Sequence, residues 1–351
     1  MAFSAIHNVA IRGISAAVPK TIESNWEYPF LSESEKKLLI KTTGVEFRRR
    51  AEKGMATSDL CYEAAKKLID ELGWSPSEID ALIFVSQSSD YYLPATAIIL
   101  QDRLGLPTSC MALDVGLGCS GYVYGLSVLS SILSATGLKK ALLMAGDVSS
   151  ATCSFEDKST YPLFGDAGTV TALEFDDSAQ SMTFELNSDG SGYEAIIIPH
   201  GGVRNLATKA SFDKKEISPG IQRADLNLAL NGLDVFNFSV TKVPKSINAF
   251  LAKTNTSPDN YDYFLMHQAN LLMNETIRKK TKFDKEQVPY SIQQYGNTSS
   301  ASIPLTIVAE LRDRTKEERL NVLMAGFGVG LSWGIASVEL AHIKCPKIIE
   351  V

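Results

Sequence analysis

The sequence has no Cys-x-x-Cys pair, no basic excess, no long low-complexity linker, and only four histidines. Its five cysteines, at positions 61, 110, 119, 153 and 345, follow neither a disulfide framework nor metal-ligand spacing, so reduced thiols in a cytosolic (cytoplasmic) protein are expected. A net charge of -6 and a pI near 5.4 give no reason to expect nucleic acid, which calls for a basic field. The N-terminal residues lack a basic stretch followed by a long apolar run, so no signal peptide is expected. Val115 to Leu138 carries no charge, yet it is dense in Gly and Ser and has no flanking aromatic belt. It reads as a buried central helix and not as a membrane span.

What is present fits a folded α/β enzyme. At 351 residues, with 45% hydrophobic and 21% charged residues, the chain can bury a large core, and two halves sharing it are expected: 1–180 and 181–351. An internal repeat supports that division. Ser75 to Ser86 matches Ser257 to Gln268 at an offset of 182 (262 − 80), and Leu143-Met-Ala-Gly146 matches Leu323-Met-Ala-Gly326 at an offset of 180 (323 − 143). In each copy an amphipathic helix, Leu60 to Leu72 or Val240 to Lys253, leads through a Ser-Pro turn to a strand, as in βαβ units. Asn187 to Asn231 interrupts the pattern and reads as an insertion or flap over the substrate entrance.

The chemistry concentrates at three places. Cys119 lies in Asp114-Val-Gly-Leu-Gly-Cys-Ser-Gly-Tyr122, a small-residue turn opening a helix, where the helix dipole would favour a thiolate. His267 follows an apolar run at the end of an expected strand. Asn297 lies in a polar loop entering another helix, which it is also placed to cap near Thr298. The repeat offset puts the Cys119 turn and the Asn297 loop in equivalent positions, so Cys, His and Asn can converge as a thiol nucleophile with donors for a carbonyl oxygen. The basic clusters Arg48 to Arg50, Lys139-Lys140, Lys214-Lys215 and Arg278 to Lys280 read as solvated faces. The last, Arg278, Lys279 and Lys280, is also a candidate docking patch for an acidic carrier protein.

These motifs, together with Lys41-Thr-Thr-Gly44, Phe164-Gly-Asp-Ala-Gly168, Asn231-Gly-Leu-Asp-Val-Phe236 and Gly326-Phe-Gly-Val-Gly-Leu-Ser-Trp-Gly334, resemble the ketoacyl synthase III branch of the thiolase superfamily along nearly the whole chain. The resemblance implies a five-layered αβαβα fold, a homodimer, and no metal or organic cofactor. It implies that Cys119 is acylated by an acyl-CoA or acyl-carrier thioester. A malonyl thioester would then lose carbon dioxide with His267 and Asn297 on its carbonyl oxygen, while the backbone of Cys119 and Val329 forms an oxyanion hole. Acyl transfer to an alcohol or amine without decarboxylation, and a binding subunit without chemistry, are the alternatives. Leu93, Tyr122, Phe164 and Phe327 are expected around the acyl pocket, with Leu93 reaching across the dimer and leaving room for longer primers. Leu38, Thr42 and Leu272 stand where the family carries side chains that grip coenzyme A, so either coenzyme A binds otherwise or the primer arrives on a carrier protein.

Overall fold

The computed structural model describes residues 2–351. Its main strands are β1 (Ala2–Ile6), β2 (Val9–Val18), β3 (Ala81–Val85), β4 (Met111–Val115), β5 (Lys140–Asp147), β6 (Ala167–Phe175), β7 (Met182–Ser188), β8 (Tyr263–Met266), β9 (Arg319–Gly328), β10 (Ser332–Ala341) and β11 (Ile349–Glu350). They form a six-stranded sheet in the order β11, β2, β6, β5, β3, β4 and a five-stranded sheet in the order β1, β7, β10, β9, β8. Without β4, the second order repeats the first. The directions repeat as well: β3 runs parallel to β5 as β8 does to β9, and β6 runs antiparallel to β5 as β10 does to β9. Each sheet closes on a strand from the far end of the chain, since β1 joins β7 and β11 joins β2.

The main helices are α1 (Thr57–Leu72), α2 (Thr96–Arg103), α3 (Gly121–Thr136), α4 (Gly232–Thr254), α5 (Leu271–Thr281) and α6 (Ser302–Glu310). The uncharged α3 and the apolar α6 lie between the sheets, in one core with Ile11, Ile83 and Leu143 of one sheet and Leu265, Met324 and Val338 of the other. Burial on both sides explains why neither helix has a polar face. Outside the six-stranded sheet α1 and α2 pack on Leu82, Phe84 and Leu142, and outside the five-stranded sheet α4 and α5 pack on Phe264, Leu323 and Ile335. The layers are therefore αβαβα. Among the described residues no helix is long and apolar enough to cross a membrane.

Two expected boundaries move. The fourth helix starts at Gly232 and not at Val240, because the Asn231 side chain accepts from the Asp234 N–H at 3.3 Å and caps it, and Pro244 is accommodated inside. The insertion begins after Ser188, where β7 ends, and holds the short pair Ile196–Ile197 with Ala229–Leu230 and the hairpin Lys215–Ser218 with Ile221–Arg223. The Arg48 side chain is also not on a solvated face. It is buried, donates to the Tyr161 carbonyl at 2.6 Å, pairs with Glu23, and lies over the Tyr161 ring.

Where α1 crosses β6, the close approach depends on Gly168. A Cβ there would fall 2.6 Å from the Cys61 backbone nitrogen and 2.9 Å from the Leu60 carbonyl carbon, and backbone cannot move aside as a side chain can. Gly168→Ala is expected to destabilise the fold by about 1–3 kcal/mol, read as a lowered Tm in thermal unfolding. An unchanged Tm would mean that α1 is free to shift off the sheet.

Candidate active site

Cys119 stands just before α3 and is 8% exposed. The turn carrying it is tied to the start of β10 by the Ser120 and Ser332 hydroxyls, 2.7 Å apart. On the other side the β9–β10 turn passes so close that a Cβ on Gly328 would lie 2.6 Å from the Cys119 Cβ and 2.7 Å from its sulfur. Only glycine fits there. The approach sets the Val329 backbone beside the sulfur, where it favours the thiolate.

A cavity of about 240 Å³ opens on this sulfur, and Cys119, His267, Asn297, Phe164, Phe327 and Val329 all line it. Residues distant in sequence converge because β3, β5, β8 and β9 end together, with α3 and the Asn297 loop between the sheets. His267 follows β8, and its backbone N–H is held by the Ala325 carbonyl of β9 at 2.9 Å. Its Nδ1 meets the Ser302 hydroxyl at 2.8 Å, and its ring packs edge-on against Phe327 with centroids 5.6 Å apart. Asn297 uses its amide oxygen to accept from the Ser299 N–H at 2.9 Å, so its amide nitrogen is what it can offer a ligand. Its backbone is clamped to the Phe164 loop, from Asn297 N–H to the Leu163 carbonyl at 2.9 Å and from Gly165 N–H to the Asn297 carbonyl at 3.0 Å. The helix expected near Thr298 is a short 3₁₀ turn, Ser299–Ala301, whose cap position is Thr298 and carries no side-chain cap bond, and α6 begins at Ser302, so Asn297 caps neither.

Burial governs the charges. It pushes the Cys119 thiol up to about 11, assisted by the negative charge of Asp147 and opposed by hydrogen bonding from the Val329 backbone and the Ser299 side chain. Removing the sulfur from water works against the thiolate expected from the helix dipole. Burial likewise pushes His267 down to about 3, with a hydrogen bond to the Ser299 backbone offsetting a little, so the imidazole is neutral at ordinary pH. The site is a set of neutral donors around a thiol.

Other expected site residues are placed differently. Tyr122 is not a pocket residue: it is 1% exposed, and its hydroxyl meets Thr171 at 3.0 Å inside the central core, because the first turn of α3 faces the six-stranded sheet. Leu93 is 86% exposed and does not line the cavity of its own chain. Of the basic trio at the end of α5, Arg278 is paired with Glu275 and bonded to the Phe283 carbonyl at 2.8 Å, and Lys280 donates to the Val240 carbonyl at 2.7 Å. They brace α4 and the helix end, which leaves Lys279 as the docking candidate of the three. Leu38 and Leu272 are exposed, and the Thr42 hydroxyl turns back to the Leu38 carbonyl at 2.7 Å. The five cysteines are buried and unpaired, and among the described residues no cluster of His, Cys, Asp and Glu is placed to hold a metal ion. Ile196, Ile198, Leu228 and Leu230 from the insertion form an apolar wall of the cavity, and Asp147 and Ser299 line it as well. None of these was identified from sequence; the repeat of Leu-Met-Ala-Gly ending one residue before Asp147 was the available signal.

Two family models match, described as 3-oxoacyl-[acyl-carrier-protein] synthase III over residues 113–190 and as the C-terminal part of that synthase over residues 251–340. A β-ketoacyl-[acyl-carrier-protein] synthase III of Rhodopirellula baltica is 33% identical over 350 residues, covering 94% of this chain and 98% of the relative. The protein of the same name from Staphylococcus saprophyticus is 33% identical over 335 residues, covering 95% and 99%. A crystal structure of a 3-oxoacyl-(acyl-carrier protein) synthase from Burkholderia xenovorans superposes with a TM-score of 0.93 at 40% identity, covering 99% of both chains. With one-third identity sustained along almost the full length of both partners, this chain belongs to the β-ketoacyl-[acyl-carrier-protein] synthase III family.

Proposed function

We propose that the protein joins an acyl primer to a malonyl thioester by decarboxylative Claisen condensation, with Cys119, His267 and Asn297 as its catalytic residues. The observation that carries this reading is the electrostatic character of the cavity, in which a nucleophilic thiol faces neutral donors and no free base. The Cys119 sulfur attacks the carbonyl carbon of an acyl-CoA or acyl-carrier thioester, and the thiol of the carrier leaves with the proton. During this step the Val329 and Cys119 backbone N–H groups are the donors for the oxyanion. The malonyl thioester then enters the same cavity. Its carbon–carboxylate bond breaks, carbon dioxide departs, and the electron pair moves onto the thioester oxygen as an enolate. In the tautomer protonated at Nε2, His267 accepts from the Ser302 hydroxyl at Nδ1 and donates its neutral Nε2–H to that oxygen, and the Asn297 amide nitrogen is the second donor. The enolate carbon attacks the acyl-Cys119 carbonyl, the carbonyl carbon–sulfur bond breaks to leave a β-ketoacyl thioester, and Cys119 departs as a thiolate that takes a proton from water to return to the thiol. Decarboxylation supplies the carbanion, so donors suffice where a proton abstraction would need a base.

The donor arrives in this reading on coenzyme A or on a carrier protein, with Lys279 at the carrier contact and no organic cofactor required. A homodimer is supported by β4, which is the outer strand of its sheet, and by the exposed apolar run Tyr91, Tyr92 and Leu93. Sedimentation equilibrium is expected to give twice the chain mass, and a monomer at micromolar concentration would remove Leu93 from any pocket.

Intact-protein mass spectrometry with acetyl and octanoyl thioesters on coenzyme A and on carrier protein is expected to show a mass gain that Cys119→Ala abolishes, with octanoyl accepted. No gain from any donor would favour a binding subunit. Asn297→Ala and His267→Ala are expected to lower carbon dioxide release from labelled malonyl thioester by roughly 10²–10³-fold while acylation persists. Acylation without any carbon dioxide release in the wild type would favour transfer to another acceptor. Because burial holds His267 down at about 3, carbon dioxide release should show no inflection near pH 6.5. A rate that falls away through that pH would mean that the imidazole works as a base.

A further inference from the structure

Asp147 ends β5 at the cavity wall, and the condensation chemistry leaves it without a task. It is 2% exposed, and its partners are neutral groups. Its Oδ1 accepts from the Gln87 N–H at 2.7 Å, the Ser86 hydroxyl at 3.0 Å and the Ser88 hydroxyl at 3.2 Å. Its Oδ2 accepts from the Ser300 hydroxyl at 3.1 Å and the Ser300 N–H at 3.4 Å. A buried carboxylate with no basic side chain among its partners is costly to keep.

The donors come from both halves of the molecule. Ser86 to Ser88 follow β3, whereas Ser300 belongs to the loop that carries Asn297. That loop is strained at Ser299, which has a φ of 51°, a left-handed conformation rare for serine. The Asn297 amide oxygen holds the Ser299 N–H, and Ser302 reaches His267. Asp147 thus grips the middle of a short segment whose two ends orient the two enolate donors.

Three titratable side chains line the cavity: Cys119, Asp147 and His267. The next charged groups beyond the Ser86 to Ser88 turn, Asp59, Asp90 and Arg103, gather around Ser58 and each other.

We propose that Asp147 is a positioning residue for the condensation: it fastens the Asn297–Ser302 loop to the end of the six-stranded sheet. The proposal rests on the condensing reading above. Ser300→Ala removes the hydroxyl from the tie and leaves the weaker backbone contact at 3.4 Å, whereas Asp147→Asn puts an amide in place of the accepting carboxylate.

Ser300→Ala is expected to reduce kcat for carbon dioxide release several-fold with KM for the malonyl thioester unchanged and Cys119 acylation intact, and Asp147→Asn to reduce kcat further in the same pattern. Full condensation in both variants while the wild type condenses overturns the tie and leaves the condensing reading in place. A wild-type protein that acylates Cys119 but releases no carbon dioxide would overturn the condensing reading and the positioning role with it.

Discussion

Helix α3 packs against both sheets at once, and this double burial determines where Cys119 can be. A helix enclosed on two sides can neither roll nor slide without opening a cavity in one core or the other, so its first turn is held against β3, β5 and β9. Gly328 then lets the β9–β10 turn close on the sulfur from the remaining side. The nucleophile is thus positioned by packing, before any of its hydrogen bonds is considered.

The same packing sets the chemistry. Withdrawing Cys119 and His267 from water disfavours the charged form of each, which moves the thiol up and the imidazole down. Both shifts work against the ion pair through which a cysteine and a histidine often activate each other. What remains is a dry wall of neutral donors, with one buried carboxylate, Asp147, that the surrounding serines hold in place. Neutral donors in a site without bulk water are strong partners for an oxygen that gains charge. They are weak at abstracting a proton from carbon. That asymmetry favours an acceptor carbanion made by loss of carbon dioxide.

The insertion between β7 and α4 gives the cavity its apolar side through Ile196, Ile198, Leu228 and Leu230. Its sequence has little periodicity, because most of residues 201–223 are exposed and the four apolar side chains face a cavity and not a helix or sheet. Arg48 shows the converse: a basic residue in a basic run, buried with its guanidinium over the Tyr161 ring, donating to the Tyr161 carbonyl and paired with Glu23. A run of charge in sequence does not say which of its members faces solvent.

The layered fold was legible in the sequence, because an uncharged central helix, alternating βαβ units and a repeat near 180 residues each reflect periodic burial that is written locally. The three catalytic candidates were legible too, since small-residue turns at the ends of apolar strands are where side chains leave the core. Tertiary structure alone decided that Tyr122 faces the core and that Arg278 and Lys280 brace helices. It alone decided that Leu93 stands outside its own cavity, and that Asp147 and the insertion complete the site. The reason is physical. Which face of a turn is buried, and which charge loses its water, depends on contacts between segments a hundred or more residues apart, and these leave no local pattern in the chain.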